Sequence, residues 1–417
     1  MHRKIHICWL IFAGVLLIRG FAGGGINMTS GLFLMPVAGD LGVGIGSLAV
    51  YLSIVSLVMV LFLPYAGKLM NTYDVRTMTV LGAVLQALPF AGLSFMNHVF
   101  WWYLLAVPMA MGSAILVSLL GPVLINRWFS KNVGLLIGLQ LAFVGFVGAV
   151  LQPVTSAIIV EDGWRRGYFM IGTLTFIVVV VAGFLFLRNR PEDKGLQPYG
   201  TEGREGENAS SVVGKQTEAA QNADISPSVL YLLILFLIAL TGMGVFTQHI
   251  PAFGVTRGLS VTETGRVLAF ASLGNGIGSI AIGFICDRIG SLKTCYMILG
   301  LSLTAAVSFL FFAEDFWSFA VITFFHGLAT SGIMVLAPVL ALDFYGRKNY
   351  EQNYAKVSMG APIASVLLVP AYGFSYDASG SYTIVLLGMI CLLVIAFLGI
   401  TAAWRKRGLN SSVNGIK

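Results

Sequence analysis

Long apolar runs separated by short polar breaks dominate the chain. About twelve of these runs are long enough, at roughly twenty residues each, to cross a hydrocarbon core of ~30 Å. The pattern places the first six at Ile7–Leu34, Leu48–Leu69, Thr77–Phe95, Trp101–Ile125, Val133–Ile159 and Tyr168–Leu187. The second six fall at Val229–Phe253, Val267–Ile285, Thr294–Phe312, Trp317–Phe344, Ala355–Phe374 and Tyr382–Trp404. The runs are unbroken rather than short and alternating, so they predict helices and not a barrel. The expected fold class is an all-α membrane protein of about twelve transmembrane helices. Arg3 and Lys4 ahead of the first run would suit a signal peptide, but Arg19 interrupts the run and no small-residue cleavage site follows. The apolar pattern then continues to Leu34, so the run reads as the first span.

One long polar stretch, residues 188–227, divides the spans six and six. Its centre, Thr201 to Ser226, is rich in Glu, Asn, Ser, Ala and Gln and has too few large apolar side chains to fold on its own. It is expected to be a flexible cytoplasmic linker between an N-terminal bundle (1–187) and a C-terminal bundle (228–417). The halves echo one another at an offset of about 216 residues. Gly67-Lys68-Leu69 matches Gly283-Phe284-Ile285, and Phe129-Ser130-Lys131-Asn132 matches Tyr345-Gly346-Arg347-Lys348. With one residue of slippage, Asp162-Gly163 matches Ser379-Gly380. Repeats of this size in a membrane chain predict two bundles related by a pseudo-two-fold axis, with the substrate between them.

Composition strengthens that reading. Of the 417 residues, 57% are hydrophobic and only 10% charged, and the mean hydropathy is +0.87. Coating a soluble domain takes roughly a quarter charged residues, so most of the exterior must face lipid. The formal charge of +7 fits a cytoplasmic excess of Lys and Arg better than a nucleic-acid surface. With both termini inside, the outer loops hold only Arg165, Arg166, Arg257 and Arg266, while most of the remaining Lys and Arg lie inside. That bias predicts a multi-pass protein of the plasma (inner) membrane with cytoplasmic termini. Cys8, Cys286, Cys295 and Cys391 form no CxxC pair or Cys/His cluster, so no metal site or disulfide framework is expected.

The segment Gly283-Phe284-Ile285-Cys286-Asp287-Arg288-Ile289-Gly290-Ser291-Leu292-Lys293 resembles the GxxxDRxGxxK loop of the major facilitator superfamily. In the first half, Gly67, Lys68, Tyr73 and Arg76 keep the same frame, with Asn71 and Thr72 in place of the Asp and Arg. Three other segments resemble the oxalate/formate antiporter and monocarboxylate transporter branch: Asn126-Arg127-Trp128-Phe129, Arg190-Pro191-Glu192-Asp193-Lys194-Gly195-Leu196 and Tyr345-Gly346-Arg347-Lys348-Asn349-Tyr350. The resemblance implies the major facilitator fold, transport by alternating access, and no catalysis or cofactor. It also implies a cytoplasmic gate built from Gly67, Lys68, Arg76, Gly283, Asp287, Arg288, Gly290, Lys293 and Asp343. Asp287 would meet the free N–H groups at the start of span five near Val133, and Arg288 would pair with Asp343. Monocarboxylate transporters of that branch commonly carry an Arg in the middle of span eight. Here the stretch is Asn275-Gly276-Ile277-Gly278-Ser279, with no cation.

Polar residues inside the spans are the candidate substrate contacts. Arg19 lies twelve residues into the first span, about 18 Å from its end at 1.5 Å per residue. A charge at that depth costs about 3 kcal/mol on insertion scales, which a water-filled cavity would relieve. Guanidinium binds carboxylate through two parallel hydrogen bonds, and no Asp or Glu lies mid-span to neutralise it. The neighbouring Gly20, Gly23, Gly24 and Gly25 are expected to loosen the helix and admit a ligand. Asn27, Gln140, His249, Asn275, His326 and Lys356 are further candidates. Each has a structural alternative: helix–helix hydrogen bonding for the amides, a satisfied buried ring for the histidines, and reach to the interface for Lys356. Four-residue spacings at Gly134/Gly138, Gly145/Ala149 and Gly274/Gly278 predict close helix packing.

The expected function is secondary or facilitative transport of small organic anions, mono- or dicarboxylates, by a monomer in a lipid bilayer. A proton or a counter-transported anion is the candidate coupling partner. Two other readings stay open: an exporter of amphipathic compounds in which Arg19 is structural, and a transporter-like membrane sensor.

Overall fold

In a computed structural model the protein is described over residues 7–130, 133–191, 196–199, 227–345 and 356–414. Among the described residues, twelve helices are long and apolar enough to cross a membrane. They are α1 (Ile7–Leu41), α2 (Ile45–Met70), α3 (Val75–Phe95), α4 (Phe100–Trp128), α5 (Leu135–Asp162) and α6 (Trp164–Phe186). The second six are α7 (Pro227–Phe246), α8 (Val261–Ile289), α9 (Ser291–Phe311), α10 (Phe316–Tyr345), α11 (Lys356–Ser379) and α12 (Thr383–Lys406). With twelve crossings, the start of α1 and the end of α12 share a face, called here the terminal face; the opposite one is distal. Most of the expected linker, along with Lys131, Arg347, Lys348 and Glu351, lies outside the described residues.

Several helices begin a few residues before the apolar pattern does, because polar side chains cap them. Asp74 accepts from the Arg76 N–H at 2.8 Å to start α3. Ser260 and Glu263 form a reciprocal capping box at the head of α8, and Asp315 with Ser318 does the same for α10. Such residues read as loop on hydropathy alone, yet each satisfies N–H groups that the first turn leaves without a partner.

The largest departure from the pattern is at α1 and α7, the first helix of each half. α1 is α-helical over Ile7–Arg19, widens into π-helical turns over Gly20–Asn27 and resumes at Ser30–Leu41. The Met28 N–H reaches Gly23 O at 3.0 Å, the five-residue step of a π turn. α7 stops at Phe246 and is followed, after a turn, by the short helix Ile250–Thr256. The single run expected through Phe253 is therefore two helices.

The glycines of α1 lie within its widened π turns and also set its packing. A Cβ on Gly24 would come within 2.5 Å of Val144 O and 2.7 Å of Gly148 N, and one on Gly20 within 2.8 Å of the Val147 side chain. They let α1 lie directly on α5, and of the four only Gly23 reaches the central cavity. The spacing at Gly145 also marks a contact, since its Cβ would meet Gly276 Cα at 3.0 Å across the α5–α8 pair. Gly138, by contrast, faces open space.

Each half carries an aromatic core near its distal end. Phe33 stacks on Tyr168 at 3.9 Å, and the Trp102 indole N–H donates to the Tyr168 hydroxyl at 3.2 Å. In the second half Phe246, Phe253, Phe309 and Tyr382 pack edge to face. Gly24→Ala should lower the melting temperature in detergent by several degrees, as overpacking of ~1–3 kcal/mol implies. Gly300→Ala, whose Cβ meets nothing within 4 Å, should leave it unchanged.

Candidate functional site

A cavity of about 530 Å³ lies between the two bundles at mid-depth. α1, α2, α4 and α5 line it from one side and α7, α8, α10 and α11 from the other. Its walls are largely apolar, with Ile26, Val55, Met59, Val144, Val245 and Ile333 among them. Arg19 is the one charged residue lining it among the described residues.

Arg19 sits where the α-helix of α1 gives way to π turns. Its side chain is 7% exposed, and its Nε has no hydrogen-bond partner. The side chain runs past Gly121 of α4, where an added Cβ would fall 2.8 Å from Arg19 Cδ and against Gln140 Oε1. Gln140 of α5 is thus a near neighbour of the guanidinium. Both of its amide atoms are buried without a partner, although the residue stands behind the cavity wall. A buried polar group without a partner is destabilising, and these groups lie side by side where Arg19 meets the cavity wall.

The distal roof of the cavity is a hydrogen-bonded belt. Asn27 accepts through Oδ1 from Gln86 Nε2 at 3.2 Å. Ser30 Oγ donates to Gln248 Oε1 at 3.0 Å, which joins the break in α1 to the turn after α7. Gln152 Nε2 donates to Met28 O at 2.9 Å and its Oε1 accepts from Ser272 Oγ at 3.0 Å, which links α5 to α8. Asn275 lines the cavity beside Thr330, with Nδ2 3.4 Å from its hydroxyl.

Of the expected substrate contacts, the structure brings Arg19, Asn27 and Asn275 to the cavity, and places Gln140 beside Arg19. The histidines and Lys356 lie elsewhere. His249 Nε2 donates to Val369 O at 2.9 Å, and its Nδ1 lies 3.3 Å from the Tyr382 hydroxyl. His326 Nε2 is 2.9 Å from Thr247 Oγ1, between the rings of Phe246 and Phe309. Both rings are fully buried in the second bundle and neither lines the cavity. Lys356 is exposed at the first residue of α11, where its long side chain reaches the terminal face. Gln152, Gln248, Ser272 and Thr330 are cavity residues that the sequence reading passed over. Their one signal was a lone polar side chain in an apolar run, which many buried structural residues share.

Among the described residues, the hydrogen bonds that cross between the bundles lie at mid-depth or in the distal half: Gln248 with Ser30 and Asn27, Ser53–Ser365, Ser272 with Gln152 and Met28, and Ile45 and Gly46 with Asp377. The cavity is therefore sealed distally and opens toward the terminal face. The expected gate residues sit apart on that face. Arg288 lies over the Phe284 ring at 4.1 Å instead of pairing with Asp343, which accepts from Ser291. Asp287 is exposed and, among the described residues, forms no hydrogen bond or ion pair. Arg76 Nε donates to Leu187 O at 3.0 Å within its own bundle, and Lys68 stands 5.8 Å from the Tyr65 ring. Gly67 and Gly283 face open space, Lys293 is exposed, and Gly290 turns α8 into α9 at φ 84°, a conformation that favours glycine. Among the described residues, none of these side chains hydrogen-bonds or ion-pairs across this face.

Two packed helical bundles around a central cavity are the architecture of a helical membrane carrier. The chain belongs to the Major Facilitator Superfamily, whose sequence profile matches residues 15–314 and 258–416. It is 22% identical over 367 residues to the uncharacterized MFS-type transporter YhjX of Escherichia coli (strain K12), covering 86% of each chain. It is also 22% identical to monocarboxylate transporter 12 of Xenopus laevis, covering 79% of this chain and 74% of that one. Monocarboxylate transporter 13 of Bos taurus is likewise 22% identical, with coverage of 77% and 71%. Among solved structures, a bacterial homolog of the human lysosomal transporter Spinster, in an inward-facing and unoccupied conformation, superposes with a TM-score of 0.67. That match has 14% identity and covers 98% of this chain and 99% of the other. The protein is thus a multi-pass membrane transporter, not an enzyme.

Ser279, on the α8 wall of the cavity, gives a direct check on which side is open. In a background lacking the native cysteines, Ser279→Cys should react with a membrane-impermeant thiol reagent from the terminal face. It should resist the same reagent applied distally.

Proposed function

We propose that this transporter carries small organic anions, mono- or dicarboxylates, with Arg19 as the principal contact for the carboxylate. One observation carries the reading: a buried guanidinium lines the cavity with no hydrogen-bond partner at Nε and no acidic neighbour on the cavity wall among the described residues. A carboxylate entering from the open side would neutralise it through paired, charge-assisted hydrogen bonds. It would do so where water is scarce and such bonds are strong. Asn27, Asn275 and Gln248 would then orient the rest of the solute, and Gln140 would steady the guanidinium from behind. The names of the monocarboxylate transporters among the relatives support the same class.

Binding at Arg19 followed by closure of the terminal face would present the solute to the distal side. Asp287, Arg288 and Asp343 would come together in that closed state. The excess of Lys and Arg on the terminal face supports an inner-membrane protein with cytoplasmic termini. A proton or a second anion would supply the coupling.

The apolar walls favour a second reading, export of amphipathic compounds that need no charge pairing. The two part at Arg19→Gln. For an organic-anion carrier that substitution should cut kcat/KM for carboxylate uptake into proteoliposomes by about 10- to 100-fold, the ~1.5–3 kcal/mol of a hydrogen bond to a charged group. Expression and melting temperature should be retained. Uptake equal to that of the unsubstituted protein would overturn the assignment, and efflux of a neutral amphipath that carboxylates do not inhibit would favour the exporter.

A further inference from the structure

We infer that Asp377 is a latch that holds the distal side shut by capping, across the bundle interface, the first turn of α2. α2 begins after Gly44, which has no side chain with which to cap it. The amides of Ile45 and Gly46 would otherwise be among the orphan donors of a helix start. Instead the Ile45 N–H donates to Asp377 Oδ1 at 2.9 Å and the Gly46 N–H donates to Asp377 Oδ2 at 2.8 Å. One carboxylate at the end of α11 thus takes both amides, where the helix dipole also favours a negative charge.

The surroundings are shaped for that approach. A Cβ on Gly46 would fall 2.5 Å from Phe374 N, one on Gly373 would fall 2.5 Å from Gly46 Cα, and one on Gly44 would run into the Asp377 carboxylate. Backbone therefore touches backbone where α2 crosses α11, as small residues allow in membrane bundles. α3, α8 and α10 are capped by residues at their own starts. α2 takes its cap from the other half of the molecule, so order in its first turn is tied to closure of the distal side. Asp377 is exposed at this edge, and water can replace both partners when the helices part. The latch can therefore release without leaving a charge stranded in lipid.

The test reads conformation and does not depend on which solute is carried. Spin labels at Asp162→Cys and Glu314→Cys, exposed distal positions on opposite bundles, report their separation by double electron–electron resonance. The protein is reconstituted in lipid nanodiscs with its four native cysteines replaced by Ala. Asp377→Ala should add a longer-distance population and raise the open-to-closed ratio about tenfold. Gly44→Asp should do the same while giving α2 a cap of its own, because the new carboxylate competes for the amides and repels Asp377. That variant separates release of the latch from loss of helix stability, and it decides the question if Asp377→Ala fails to fold. A distance distribution matching that of the unsubstituted protein in either folded variant would overturn the inference.

Discussion

A guanidinium held at mid-depth in a membrane protein must be hydrated or neutralised, because hydrocarbon offers it neither water nor counter-charge. Arg19 is buried under that constraint and lines the cavity between the bundles. Much of the surrounding architecture follows. The side chain passes α4 where Gly121 leaves room, and it stands beside the amide of Gln140. α1 lies close on α5 because Gly20 and Gly24 carry no side chains. Filling any of these spaces would displace the charge or separate the helices that hold it.

The same helix that carries the charge also forms part of the distal seal. Beyond Arg19 the π turns end in the break at Met28 and Thr29, and Ser30 then reaches the turn after α7 through Gln248. The cavity and its closed side are thus parts of one continuous segment. The proposed alternating access would need such a link, because occupancy can shift a conformational equilibrium only through contacts that differ between the two states. Among the distal contacts Asp377 is exposed, so solvent can take over its bonds as the bundles separate. The terminal face shows the complementary condition: among the described residues, its charged side chains named above are exposed or bonded within their own bundle.

The two open histidine questions resolve through packing. His249 and His326 are polar residues in apolar runs, as Asn27 and Asn275 are, and hydropathy treats them alike. The aromatic core of the second bundle encloses both rings and gives each a neutral partner. The amides of α1 and α8 turn instead to the space between bundles. Which face a side chain takes depends on the rotation of its helix, and in lipid both faces of a helix are apolar.

The sequence by itself determined the number of spans, their helical nature, the division into related halves and the presence of one deeply placed charge. Each follows from local physics: apolar length against bilayer thickness, internal satisfaction of the backbone, and the penalty on a mid-membrane ion. The break after Phe246, the π turns of α1 and the capped helix starts were only partly legible, because they depend on hydrogen bonds that hydropathy does not weigh. Tertiary structure alone decided that Arg19 faces the cavity, that His249, His326 and Lys356 do not, and that Asp377 meets the first turn of α2. Such contacts join residues more than three hundred positions apart, and only the folded bundles bring them together.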